Sequence, residues 1–287
     1  MEVDLEPLTV LVGPNGSGKS SLLRAVLHRT HRPEEVWRAG ADTNVLIKVA
    51  TADGRKIGQI RGSLTNHQPV IDGQLVALDL NCIRQGNQTD RSARLADDGW
   101  NLVNTFASLG RDQESAAARI FASLVPHFSD VDVKPVQGGN LGFFFRDRWN
   151  PAVEYRPEQV SDGTMLVLAY VTILHQQNAP DLLAIEEPER GLHPYLIRDL
   201  VALLRKLATG ELGKKPTQVL LATHSAELLN FVEPHEVRFM QRSSTDGSVE
   251  IRKAPLDSPD WAKAFAAYDE SLRGMWLSGG LGGVPGA

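Results

Sequence analysis

Residues 13–20 read GPNGSGKS, a match to G-x-x-x-x-G-K-[ST] that stands between the β-rich apolar run TVLVG and SSLLRAVLHRT, a stretch that reads as a helix ended by Pro33. This string constrains the fold strongly, because its chemistry needs a strand, a tight loop and a helix start in that order. Such a match arises by chance in about one chain in a hundred of this length, and the correct flanks make chance rarer still. Gly13, Gly16 and Gly18 let the backbone curl around phosphate oxygens, while free amides and the helix N-terminus attract anions. Lys19 adds a point charge and Ser20 offers a hydroxyl to Mg²⁺. Gly13, Pro14, Asn15, Gly16, Ser17, Gly18, Lys19, Ser20 and Ser21 are therefore expected to bind a nucleoside triphosphate.

Two later segments have the form of buried parallel strands that end in functional side chains. DLLAIEEPERGLHP carries four apolar residues and then Glu186-Glu187-Pro188. Ligands of open α/β sheets lie beyond the carboxyl ends of strands, so both carboxylates are expected near the nucleotide phosphates. Glu186 is assigned to the Mg²⁺ sphere, where Asp is usual and the longer side chain suits a contact through water. Glu187 is assigned as the general base that polarises the attacking water. VLLATHSAELL places His224 just past another apolar strand, able to hydrogen-bond the terminal phosphate, with Ser225 as cap of a following helix. His193 is expected only to shape the turn after the acids.

The intervening chain is less regular. From about Asn44 to Leu80 the segments VLIKVA, KIGQIRG and QLVALDL, around Asp53-Gly54 and Asp72-Gly73, predict antiparallel hairpins. DDGWNLVNTFASL and DQESAAARIFASLVPHF predict two helices, and VDVKPV, LGFFFRD and AVEYR predict strands. EQVSDGTMLVLAYVTILH then opens a buried helix with Ser161, Asp162 and Gly163, residues suited to capping and to gripping an anion. YLIRDLVALLRKLA is a further helix, and the glycine-rich LSGGLGGVPGA is expected to be a loosely held tail. No internal repeat or heptad run is visible.

Taken together in this order, GPNGSGKS, VSDGTM, LLAIEEPERGLHP and ATHS resemble the ABC-type ATPases. The resemblance is to the soluble branch akin to RecF-type repair proteins and to the ATPase parts of OLD-type nucleases and other phage-defence systems. It implies an α/β P-loop NTPase of ABC-ATPase type: a central, mostly parallel sheet with an antiparallel β subdomain and an inserted helical lobe. The expected division is a nucleotide-binding lobe at 1–35 and 158–240, an inserted β-hairpin and helical subdomain at 36–157, and a C-terminal segment at 241–287. The resemblance makes VSDGTM the signature motif, usually closer to LSGGQ, which contacts ATP held by a second subunit through Ser161, Asp162 and Gly163. Ser161 and Gly163 match the usual positions, and Asp162 departs from the transporter form but suits the soluble branch. It makes PERGLHP a loop at the dimer interface, with Glu189 and Arg190 as candidates. It also implies a glutamine that senses Mg²⁺, for which Gln85 and Gln88 are both available. The chain begins close to its phosphate-loop strand, so a leading strand and base-stacking residue are expected to be short or absent.

The implied cofactors are ATP and Mg²⁺, and the implied assembly is a homodimer closed through ATP. No second catalytic cluster such as an acidic nuclease metal site is visible, so a separate effector protein, such as a nuclease, is expected as partner. A RecF-type DNA-binding clamp is the alternative, with Arg24, His28, Arg29, Arg32, Arg205, Lys206, Lys214 and Lys215 as its available charges. A transporter subunit fits the signature least well. The net charge of −5 argues against a uniformly basic surface but leaves a local basic patch open. The acidic MEVDLEPL is unlike a secretory leader, MLVLAYVTIL is about half the length needed to span a bilayer, and the lone Cys82 fits a reducing cytosol.

Overall fold

A computed structural model describes residues 3–27, 45–50, 56–62 and 71–279. The chain forms two compact units, one of Met1–Leu75, Pro180–Pro188 and Gln218–Ala287, the other of Val76–Ala179 and Glu189–Thr217.

In the first unit, β1 (Leu8–Val12) leads to α1 (Lys19–Leu27), and β2 (Val45–Ala50) pairs antiparallel with β3 (Lys56–Gly62). Later strands are β4 (Gly73–Val76), β9 (Leu182–Glu186), β10 (Gln218–Thr223), β11 (Val237–Arg242) and β12 (Val249–Lys253). They make a six-stranded sheet in the order β12-β11-β1-β10-β9-β4. The pairs β11–β1, β1–β10 and β10–β9 are parallel, and β12 is an antiparallel addition. Every residue of β1 is buried, as are four of the five in β9, the pattern of strands covered on both faces. Leu23 and Leu27 of α1 join Leu11, Leu182, Ala184, Leu220, Ala222 and Met240 in one apolar cluster. Each such leucine contributes about 1.5–3 kcal/mol on burial, so α1 and the loop before it are fixed by the sheet.

The second unit holds α2 (Leu80–Ile83), β5 (Asn87–Gln88), α3 (Leu102–Ala107), α4 (Arg111–Leu124), β6 (Phe128–Pro135), β7 (Asn140–Asp147), β8 (Glu154–Tyr155), α5 (Asp162–His175) and α6 (Pro194–Thr209). β7 pairs antiparallel with β5, β6 and β8. One face of this sheet carries Phe128, Phe143 and Phe145, packed with Phe106 and Phe121 from α3 and α4. All residues of α5 from Thr164 to His175 are buried. A helix apolar all round is a core helix, and α5 packs on α2, α3, α4 and α6.

The α/β class with a mostly parallel sheet and an antiparallel subdomain is as expected. QLVALDL is not: β4 leaves the hairpin region and pairs beside β9 in the main sheet, where Leu75 joins the apolar cluster. The compact units are also drawn differently from the expected segments. Helix α5 lies in the second unit, while β12, α7 (Pro259–Ala267) and α8 (Leu272–Leu277) belong to the first. Burial explains the latter, since Trp276 of α8 stacks on Phe239 of β11. The turn at Asp53-Gly54, His28, Arg29, Arg32 and the tail from 280 lie outside the described residues. Among the described residues no helix is long and apolar enough to cross a membrane.

Candidate functional site

The phosphate loop joins β1 to α1. Gly16 and Gly18 hold φ of 78° and 97°, backbone states that a side chain would strain. Gly13 is required for a different reason: a Cβ there would lie 2.3 Å from the Met240 carbonyl oxygen and 2.7 Å from Ser17 Oγ. Lys19 Nζ donates to the carbonyls of Gly13 (2.7 Å) and Pro14 (3.0 Å), so its charge is held at the loop. Ser17 is buried, and its hydroxyl has no hydrogen-bond partner, whereas Asn15, Gly16 and Ser20 are exposed. The loop is braced from the β11–β12 hairpin by Arg242, whose Nε donates to Gly16 O at 2.6 Å and whose Nη1 donates to Gly247 O at 2.9 Å.

The parallel register aligns the other candidates of this unit with the loop. Val12 pairs with Thr223, and Ala222 with Glu186. Gly13, His224 and Glu187 thus follow the carboxyl ends of three adjacent strands, neighbours about 4.8 Å apart. Glu186 ends β9 with Oε1 buried and without a hydrogen-bond partner. Glu187 has φ 47°, a state rare for a residue with a side chain. Its N–H donates to Ala222 O at 2.8 Å, which fixes it against the neighbouring strand. Its Oε1 lies 3.1 Å from His224 Nδ1, and the two side chains are 41% and 49% exposed. A carboxylate is acceptor only, so with its proton on Nδ1 His224 can donate to Glu187 and keep Nε2 for another partner.

Ser225 does not cap an α-helix. Its N–H donates to Thr223 Oγ1 and its Oγ accepts from the Glu227 N–H, and a 3₁₀ turn at Leu228–Phe231 follows. Local hydroxyl-to-backbone bonds of this kind compete with helix formation.

The donor set fits a nucleotide and a divalent cation. An unpaired carboxylate oxygen at Glu186 and an unpaired hydroxyl at Ser17 are costly when buried, and a cation and an anionic oxygen are what they lack. Among the described residues no group of three or more His, Cys, Asp or Glu could hold a metal. Ser20 and Glu186 would thus supply few protein ligands, as is usual where Mg²⁺ is held largely by phosphates and water.

In the second unit, Ser161 is the N-cap of α5, its Oγ accepting from the Thr164 N–H at 3.1 Å and lying 2.9 Å from Thr164 Oγ1. Asp162 begins the helix. A Cβ on Gly163 would lie 3.4 Å from Gly191 O, so the turn of Glu189, Arg190 and Gly191 packs beside this helix start. Arg84, which no motif singled out, reaches the segment from Pro157 to Asp162 that opens this helix. Its guanidinium donates to Pro157 O, to Val160 O at 3.2 Å and to Asp162 Oδ1 at 2.5 Å. Asp79 caps α2, and bonds from the Cys82 and Asn81 amides, helped by Arg190, hold its carboxyl below the usual range. Gln85 and Gln88 are exposed just beyond α2. His193 precedes α6 and accepts from the Leu196 N–H. Arg24 lies in the first unit, and Arg205, Lys206, Lys214 and Lys215 in the second.

Comparison with known proteins agrees with this architecture. The family model described as "AAA domain, putative AbiEii toxin, Type IV TA system" matches residues 8–137 and 96–230. The fold is similar to an SMC head bound to the C-terminal winged-helix domain of ScpA (15% identity, 87% of this chain and 91% of that one, TM-score 0.54). It is similar also to a Pyrococcus furiosus Smc head with an extended coiled coil bound to the C-terminal domain of ScpA (13% identity, 93% and 94%, TM-score 0.52). A dimeric bacterial ABC transporter cassette aligns at 15% identity over 88% of each chain, with a TM-score of 0.46. No curated protein matches the sequence. The ABC-type ATPase fold inferred from four short motifs is thus present, and the chain belongs to the toxin-type AAA domain family.

Proposed function

We propose, starting from that membership, that the protein is a Mg²⁺-dependent ATPase whose two copies close head to tail around ATP. Opening after hydrolysis would control a separate effector, a nuclease in a phage-defence setting. The observation that carries the ATPase reading is the Glu186–Glu187–His224 arrangement at the strand ends beside the phosphate loop.

In this reading the loop amides and Lys19 would hold the β- and γ-phosphates, and Ser20 and Glu186 would hold Mg²⁺, which would offset charge on the phosphates. Glu187 accepts a proton from water as the water oxygen bonds to the γ-phosphorus and the bond to the bridging oxygen breaks, giving ADP and phosphate. His224 keeps Glu187 oriented through Nδ1 and presents Nε2 to the terminal phosphate. The strained backbone of Glu187 supports a functional rather than a packing role. Ser161 and Gly163 meet the γ-phosphate of ATP held by the second copy, and the Glu189–Arg190 turn lies at the same interface. The family's description as a toxin-type domain of a toxin–antitoxin system supports a role that depends on a partner, as does the lack of a second catalytic cluster in the sequence. Cys82 as a lone thiol suits the cytoplasm.

Glu187→Gln is expected to bind ATP as the parent does while turnover falls by about 100-fold or more. Nucleotide binding and phosphate release measured on the same preparation check this, and unchanged hydrolysis would remove Glu187 from its role.

A further inference from the structure

The second turn has a charge problem that the first does not. The N-terminus of α5 carries roughly half a positive charge, which favours an anion, but Asp162 places a full negative charge on its first residue. Asp162 is 56% exposed, so its charge faces solvent at the start of the helix. The only cation bonded to it among the described contacts is Arg84, 20% exposed and held in place by the Pro157 and Val160 carbonyls. A planar guanidinium with several fixed donors suits this task, since it can brace two carbonyls and a carboxylate at once.

We propose that Arg84 is a positioning residue of the signature turn: it cancels the charge of Asp162, so that Ser161 and Gly163 can receive the phosphate of a second copy's ATP. This rests on the reading of that turn as a phosphate contact. In this role Arg84 acts through Asp162. The pair leaves the turn close to the net charge of a bare helix N-terminus, with the backbone from Pro157 to Asp162 tied down. The charge of Asp162 is thereby balanced by a residue 78 positions earlier in the chain.

The test uses the Glu187→Gln protein, which is expected to hold ATP without turning it over, and reads the ATP concentration for half-maximal dimerisation by sedimentation velocity. Adding Arg84→Gln is expected to raise that concentration by about tenfold or more. Adding Asp162→Asn to the Arg84→Gln protein is expected to bring it back to within about threefold of the parent, because the uncompensated charge is gone. Arg84→Lys, which keeps the charge and loses the fork, is expected to recover part of the loss and dimerise at an ATP concentration at least about threefold lower than Arg84→Gln. If the double variant is as impaired as Arg84→Gln, or Arg84→Lys as impaired as Arg84→Gln, then Arg84 only braces carbonyls and the proposal is overturned. If Arg84→Gln dimerises normally while Ser161→Arg does not, the proposal fails and the phosphate-contact reading stands. If Ser161→Arg also dimerises normally, that reading itself fails.

Discussion

The turn from Gly13 to Ser20 and the turn from Ser161 to Gly163 both open a helix, yet they are prepared for an anion in opposite ways. The first contains no acid, carries Lys19 over its own carbonyls, and is so tightly packed that a methyl group on Gly13 would collide with Met240 O. The second contains an acid, has that acid neutralised from elsewhere in its unit, and leaves Gly163 with ordinary contact distance to Gly191 O. The difference suggests a division of labour. In the proposed function, the cradle that carries its own lysine would hold the nucleotide, whereas the charge-balanced turn would add a weaker contact once another copy has brought ATP to it.

Substitutions at the two glycines should separate these roles. Gly13→Ala is expected to have the largest effect: ATP affinity falls by about 100-fold or more through displacement of the loop, and overpacking costs about 1–3 kcal/mol of stability. Isothermal titration and thermal unfolding read both. Gly163→Ala should leave ATP affinity intact and change stability by about 1 kcal/mol or less, with stabilisation the favoured sign in a helix, while weakening ATP-dependent dimerisation. Loss of ATP affinity in Gly163→Ala, or retention of it in Gly13→Ala, would break the contrast.

A smaller effect concerns the far end of α5. Burial lowers the His175 pKa, with a hydrogen bond to Val171 O opposing it. The folded protein therefore favours neutral His175, and its contribution is fully present above the unfolded value of about 6.5 and lost as pH falls through the depressed folded value. The melting temperature should drop between pH 7.5 and 5.5, and less so in His175→Gln. An equal drop in the variant would assign the acid sensitivity elsewhere.

Much of the first turn was legible because its function is written in contiguous residues, and the same holds for the apolar runs that became β1, β9, β10 and α5. The arginines that complete each turn were not. Arg242 meets Gly16 across 226 positions and Arg84 meets Asp162 across 78, and a single arginine carries no local pattern. β4 was misread as part of a hairpin because a short apolar strand looks the same whichever partner it pairs with. Ser225 was misread because a serine before polar residues can cap either a helix or a tighter turn.

In the proposed function the turn from Ser161 to Gly163 serves ATP held by another copy. This is tested most directly by comparing Glu187→Gln with Glu187→Gln/Ser161→Arg, measuring ATP binding and sedimentation in the same solutions. The account predicts that both bind ATP with similar affinity and that only the first becomes a dimer. A Ser161→Arg protein that dimerises with ATP as the parent does would contradict it.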